Sequence, residues 1–312
     1  MPYLDLGQVE SAWGNLENCL LEMGTKAIIR SSSEDVPEQN VEELVSAAAK
    51  QVGVPVFVVE DFPGNYWPKP LGRIDGLFVE DESLIELYKS RGIDPQIVYN
   101  SGNPRYSKLA SLDAPSRRVK VREDLGLGDD RVMLWAGQPD GDNSYWALER
   151  LLKRFGKGAV TLLFRAHPRD AAYTTGKYGE LFSRVSMKVL DTSAYPDALD
   201  LYCASDLVIT QFSSAGVEAS YLGVPALFVL FDDLGKQYLR TFKGYDTLPW
   251  YHESCAFLLE QESEVERVLA QALFDRSSRE EVCANFQRRF GARTDSASVI
   301  SHRIQAVLGG GI

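Results

Sequence analysis

The sequence predicts an α/β protein made of two parallel-sheet domains joined by a polar crossing. Three observations carry this. Short apolar runs alternate with segments of helical periodicity, the pattern of parallel strands covered by helices. The alternation breaks between Gly102 and Asp130, where the chain turns polar, charged and turn-rich, and then resumes more clearly. Finally, 312 residues, 45% hydrophobic and 25% charged, suffice for two cores of ordinary size. The expected domains are residues 1–110 and 123–312, hinged near 107–122 with a cleft between them.

The elements follow in order. Gly7–Met23 carries Val9, Ala12, Trp13, Leu16 and Leu20 at helical spacing. Lys26–Arg30 is a short apolar strand, and Val41–Val52 is a helix with Val41, Leu44, Val45 and Ala48 on one face. Val54–Glu60 and Gly76–Val79 read as buried strands, Ser83–Arg91 as a helix and Gln96–Tyr99 as a strand. Beyond the crossing, strands are expected at Arg131–Ala136, Ala159–Arg165, Lys188–Leu190, Asp206–Thr210 and Ala226–Leu230. Helices are expected at Tyr145–Phe155, Asp197–Ala204, Val217–Leu222, Glu262–Phe274 and Ser296–Leu308.

Composition excludes several classes. Forty-four acidic against thirty-three basic residues give a net charge of −11, which argues against nucleic acid or an anionic membrane as partner. No apolar run approaches the roughly 20 residues of a membrane span. The first twenty residues lack a basic segment, so they are not read as a signal peptide. A cytoplasmic protein with reduced thiols is expected: Cys19, Cys203, Cys255 and Cys283 make no metal-binding spacing. Neither a metal nor a cofactor is expected. No GxGxxG, GxxxxGK[ST], HExxH or GxSxG motif is present.

Ligands of open parallel sheets bind outside the carboxyl ends of the strands, so the loops there hold the candidate residues. Thr210–Glu218 (TQFSSAGVE) leads from a buried strand into a helix starting at about Gly216. Ser213, Ser214 and Gly216 with the helix N-terminus suit a phosphate; the plainer reading is a Ser cap with Glu218 as a first-turn acid. Arg165-Ala166-His167-Pro168-Arg169 offers guanidinium and imidazole donors. The plainer reading of that run is a solvated basic loop. His252 and His302 lack such a setting. Gly137 and Gln138 follow another strand, where the glycine admits either a ligand or a plain turn. Asp61, after the strongest strand of the first domain, is a candidate general base, or part of a packed loop.

The stretch Ser205–Asp233 (SDLVITQFSSAGVEASYLGVPALFVLFDD) resembles the donor-binding segment of GT-B-fold enzymes, and most of all CDP-glycerol glycerophosphotransferases and capsule-type transferases. Asp206, Ser213, Ser214, Gly223 and Pro225 match that pattern, and Arg165, His167 and Pro168 match the R-x-H-P motif one strand earlier. Gly102-Asn103-Pro104-Arg105 resembles an element of UDP-N-acetylglucosamine 2-epimerases. The resemblance covers roughly residues 25–308. It implies two Rossmann-like domains facing across a cleft, the first shortened because its first strand candidate resembles a later strand of that domain.

The resemblance also implies that Ser213, Ser214 and His167 hold the donor's phosphates, that Arg165 helps stabilise the leaving phosphate, that the Ser193–Pro196 loop faces the base, and that Glu218 reaches ribose hydroxyls or neighbouring groups. The implied activity is transfer of a sugar or polyol phosphate from a CDP- or UDP-linked donor to an unknown acceptor in surface-polymer synthesis. A homodimer is one way to complete a shortened acceptor domain. A nucleotide-sugar epimerase or hydrolase and a non-catalytic nucleotide-binding protein of the same fold stay open beside it.

Overall fold

A computed structural model of the chain describes residues 16–32, 41–68, 74–155, 160–243, 247–248, 251, 254–291 and 294–309. Residues 7–15 of the first expected helix, and His252, lie outside them. In chain order the elements are α1 (Leu16–Glu22), β1 (Ile28–Ser31), α2 (Val41–Gln51), β2 (Val56–Val59), β3 (Gly76–Val79), α3 (Ser83–Ser90), β4 (Val98–Asn100) and α4 (Pro104–Ser107). There follow α5 (Ala114–Asp124), β5 (Arg131–Ala136), α6 (Asn143–Arg154), β6 (Val160–Arg165), α7 (Ala171–Thr174), α8 (Lys177–Phe182), β7 (Lys188–Asp191), α9 (Ala198–Ala204), β8 (Leu207–Thr210) and α10 (Ser214–Tyr221). The rest are β9 (Ala226–Val229), α11 (Gln237–Lys243), β10 (Phe257–Leu259), α12 (Val265–Phe274), α13 (Arg276–Phe290) and α14 (Ser296–Leu308).

The fold is α/β, and every strand pairing among the described residues is parallel. The chain divides into two units, Met1–Ser107 with Arg293–Ile312, and Lys108–Ala292. The first unit holds a four-stranded sheet in the order β1-β2-β3-β4. Phe57 and Phe78 from its sheet pack with Ile300 and Ile304 of α14.

The second unit holds six strands in the order β10-β9-β8-β5-β6-β7. Its inner strands β5, β6, β8 and β9 are buried on both faces, as parallel strands under helices must be, while edge strand β7 is partly exposed. Met133, Trp135, Leu162, Phe164, Leu207 and Ile209 face one core, shared with α6 and α12. Val132, Leu134, Leu163 and Val208 face the other, shared with α5, α9 and α10. The chain runs outward from β5 to β7, then returns to β8 on the opposite side of β5. The sheet therefore reverses direction between β5 and β8, and a doubly wound sheet opens its ligand crevice at such a point.

The stretch read as a polar crossing contains an eleven-residue helix, α5, that groups with the second unit. Its sequence, APSRRVKVRED, has almost no apolar stripe: Val121 is buried, while Val119 is 60% exposed. Arginines hold it instead. Arg117 bonds Asp197 at 2.8 Å and Asp200 at 2.7 Å, Arg118 bonds Asp206 at 2.9 Å, and Arg122 donates to the carbonyls of Ala204, Gly128 and Asp130. Asp113 caps its first turn through Ser116 N.

Candidate active site

The carboxyl ends of β5, β6, β7 and β8 bring most of the expected site residues of the second unit to one edge of the sheet. The loops after β5 and β8 are tied together by Gln138, whose buried Oε1 accepts from Phe212 N at 2.6 Å and lies 3.2 Å from Thr210 Oγ1. Gln138 is thus a bridge across the switch point. Gly137 is a glycine because β6 runs close by: a Cβ there would stand 3.2 Å from Arg165 O and 3.4 Å from His167 N. Its close approach is to protein backbone.

After β6, Arg165 Nη1 donates to Tyr195 O at 2.7 Å and Thr192 O at 3.3 Å, and Ser193 Oγ accepts from Ala166 N at 2.9 Å. Both residues brace the loop after β7 against the loop after β6. His167 is half-buried, and its Nδ1 accepts the backbone amide of Arg169 at 3.1 Å. In the neutral ring this leaves the proton on Nε2. Burial, then the Arg169 charge, push the imidazole below its usual range, while Asp170 opposes them. Of the two flanking arginines only Arg169 acts this way, and Arg165 Nη1 is turned to the carbonyls after β7.

After β8, α10 begins at Ser214, two residues earlier than expected, and Ser213 caps it by accepting from Ala215 N at 3.3 Å. Ser213 and Ser214 are half-buried. Gly216 and Glu218 are buried in the helix. At Gly216 a Cβ would lie 2.5 Å from Phe228 Cζ. This glycine lets α10 settle on β9. Phe212 stacks on Tyr238, with ring centroids 5.1 Å apart at 15°.

Two residues of this edge were not singled out from sequence. Gln211 is fully buried, and neither atom of its amide has a hydrogen-bond partner among the described residues. Asp140 is buried in the loop after β5; its Oδ1 accepts from Ser144 N at 3.0 Å, its Oδ2 has no hydrogen-bond partner among the described residues, and burial pushes the carboxyl up to about 7. Their signal is a polar residue just past a strand end, which becomes distinctive only once burial is known.

Asp61 belongs to the first unit. Its Oδ1 accepts from Ser32 Oγ and, at 3.2 Å, from Asn65 Nδ2, while its amide donates to Ser32 Oγ at 3.0 Å. It lines a cavity at the carboxyl edge of the first sheet. Beside it, Glu60 is fully enclosed: its Oε1 accepts from Tyr88 Oη and from Gly64 N at 2.6 Å, and desolvation pushes the carboxyl up to about 8. Among the described residues no helix is long and apolar enough to cross a membrane.

A doubly wound parallel sheet with a serine-capped helix at its switch point and a histidine one strand away, after β6, defines a Rossmann-like α/β protein. Over residues 69–307 the chain matches the family described as CDP-Glycerol:Poly(glycerophosphate) glycerophosphotransferase, and it belongs to that family. The teichoic acid poly(glycerol phosphate) polymerase of Bacillus spizizenii is 23% identical over 193 residues, 58% of this chain and 47% of that protein. The chain thus spans about half the length of the curated relative it matches. Among solved structures, UDP-N-acetylglucosamine 2-epimerase from Neisseria meningitidis, bound to UDP-N-acetylglucosamine, superposes with a TM-score of 0.66 at 15% identity, covering 98% of this chain and 83% of that one. The wall teichoic acid polymerase TagF gives 0.50 at 15% identity, covering 95% and 85%. At these identities the structural likenesses speak for the fold alone.

Proposed function

We propose that this protein transfers glycerol phosphate from CDP-glycerol to a hydroxyl of a surface-polymer acceptor, and that its donor site is the β5–β8 edge of the second unit. The observation that carries this is the family match, within which the Ser213–Ser214 cap stands at the switch point and His167 one strand away, after β6. In the reaction, an acceptor hydroxyl oxygen attacks the phosphorus bearing glycerol. The bond to the CMP oxygen breaks, and the acceptor proton passes to a base. CMP leaves with developing negative charge, and the work of the site is to stabilise it.

His167 suits that task because its Nε2 proton points away from the bond made by Nδ1, and the ring is neutral before the donor arrives. Ser213, Ser214 and the first amides of α10 supply further donors. Arg165, Ser193, Gly137 and Gln138 act behind them, fixing the loops. Asp61 is the carboxylate proposed as base, and a cytoplasmic site of action accompanies a nucleotide-activated donor.

The test is CMP release from CDP-glycerol, with UDP-N-acetylglucosamine as the comparison donor. Loss of transition-state stabilisation in His167→Ala lowers kcat together with kcat/KM; loss of ground-state binding alone raises KM and spares kcat. We expect the first. Wild-type kinetics in His167→Ala would remove the histidine from the mechanism. Tight CDP-glycerol binding without CMP release, even with acceptor extract, would favour a binding protein.

A further inference from the structure

The amino edge of the second unit's sheet lies at the other end of its strands from the proposed donor site. Along β5, Arg131 and Ala136 stand at those two ends, roughly 16 Å apart by strand rise. Asp206, just before β8, is 5% exposed, and its Oδ2 accepts from Val132 N at 2.9 Å. Four guanidiniums surround this carboxylate. Arg118 Nη2 stands 2.9 Å, Arg131 Nη1 3.4 Å and Arg279 Nη2 3.6 Å from Oδ1, and Arg122 Nη1 stands 3.8 Å from Oδ2.

One carboxylate does not balance four guanidiniums. Arg122 is relieved by the charges of Asp129 and Asp130, and it donates to the carbonyls of Ala204, Gly128 and Asp130. Arg118, Arg131 and Arg279 have Asp206 as their only ion-pair partner among the described residues. All three converge on Oδ1, so no two of their contacting nitrogens are more than about 7 Å apart. Burial, opposed by Asp206 and aided by the charges of Arg131 and Arg118, holds the Arg279 guanidinium below its usual range. The adjacent Arg117 shows the opposite balance, with Asp197 and Asp200 for one base. A chain of net charge −11 thus collects surplus positive charge at this one place.

The surplus is accessible. Arg118 keeps 35% and Arg131 43% of its side-chain surface in water. Arg131 makes only its 3.4 Å contact with Asp206, so its Nε and Nη2 have no protein partner among the described residues. Guanidiniums bind phosphate oxygens through paired, planar donors. A dianionic phosphate offsets the two charges that Asp206 leaves on Arg118, Arg131 and Arg279; an uncharged ligand or a cation does not. We infer that Arg131, Arg118 and Arg279 form a second anion site, at the amino edge of the sheet, for a phosphate group presented by a soluble molecule or by a lipid headgroup. Asp206 holds the three guanidiniums together, and the ligand meets their exposed side.

The test is calorimetric titration of pyrophosphate at constant ionic strength. The full chain carries His167→Ala, Ser213→Ala and Ser214→Ala, which silence the proposed donor site. Pyrophosphate should still bind. Adding Arg131→Ala should weaken it about tenfold, the scale of one charge-assisted hydrogen bond, and Arg131→Glu should abolish it. Arg131 makes one long contact, so melting curves should show both variants folded. Arg184→Ala removes the same charge from an exposed position on α8 and should change affinity less than about twofold. Vesicles distinguish the source. Cosedimentation with phosphatidic acid and not with phosphatidylcholine, lost in Arg131→Glu, identifies a lipid headgroup; pyrophosphate binding without cosedimentation identifies a soluble phosphate. If neither pyrophosphate nor phosphatidic acid binds, or if Arg131→Ala and Arg184→Ala lose affinity equally, the inference falls. CMP release from CDP-glycerol enters none of these readouts, so the transferase reading and this site stand or fall separately.

Discussion

Gly216→Ala asks why a glycine stands at the start of α10. An ideal Cβ at this position falls 2.5 Å from Phe228 Cζ, 2.8 Å from Phe228 Cε1 and 3.4 Å from Ala226 Cβ. Carbon atoms attract at about 3.5–4.0 Å, so the ring or the helix must move by roughly 1 Å. Alanine gains at most about 1 kcal/mol over glycine in a helix. Overpacking a filled core costs about 1–3 kcal/mol. Phe228 is fully buried on β9, between paired neighbours β8 and β10, and has little room to yield. The packing cost therefore wins, and a net loss of about 1–2 kcal/mol is expected. Urea unfolding reads it as a lower midpoint at unchanged slope. Adding Phe228→Leu to G216A should give a protein more stable than the sum of the two single changes by about 1 kcal/mol. An unchanged or raised midpoint in G216A would refute the packing argument and return this glycine to the ligand.

Two further outcomes follow from buried charge. The Glu60 carboxyl is pushed up to about 8 from an ordinary 4.5. Its proton is therefore kept by the folded chain and released by the unfolded one, and its stabilisation, full below 4.5, is lost as pH rises toward about 8. Glu60→Gln, which mimics the neutral acid, should flatten that part of the stability profile; an identical slope would show that Glu60 is ionised in the fold. Asp206 accepts from Val132 N at 2.9 Å and faces Arg118, Arg122, Arg131 and Arg279 within 3.8 Å. Asp206→Ala should cost about 2–4 kcal/mol in urea unfolding, below the full value of a broken buried pair because Arg118 and Arg131 keep over a third of their surface in water. A loss under about 1 kcal/mol would show that these arginines stand without it.

What was legible in the sequence was whatever burial writes locally. VFVV, VTLLFR and LVIT are apolar on both faces because helices cover both, so β2, β6 and β8 could be read without their partners. The SS pair before α10 was legible because a capping serine must precede the helix it caps. Helix α5 was not, since its stability comes from aspartates some eighty residues away: no window of sequence contains Arg117 together with Asp197 and Asp200. The reason for Gly216 was hidden in the same way, because the ring that excludes a Cβ belongs to β9. Arg165, expected to reach a phosphate, uses Nη1 on carbonyls thirty residues on. These cases share one cause. Residue type states which chemistry is available, whereas its use depends on what the fold brings within about 3 Å. The same logic holds at the second unit's edge, where Gln138, Arg165 and Ser193 find protein partners, while His167, bonded through Nδ1, keeps an Nε2 proton to donate.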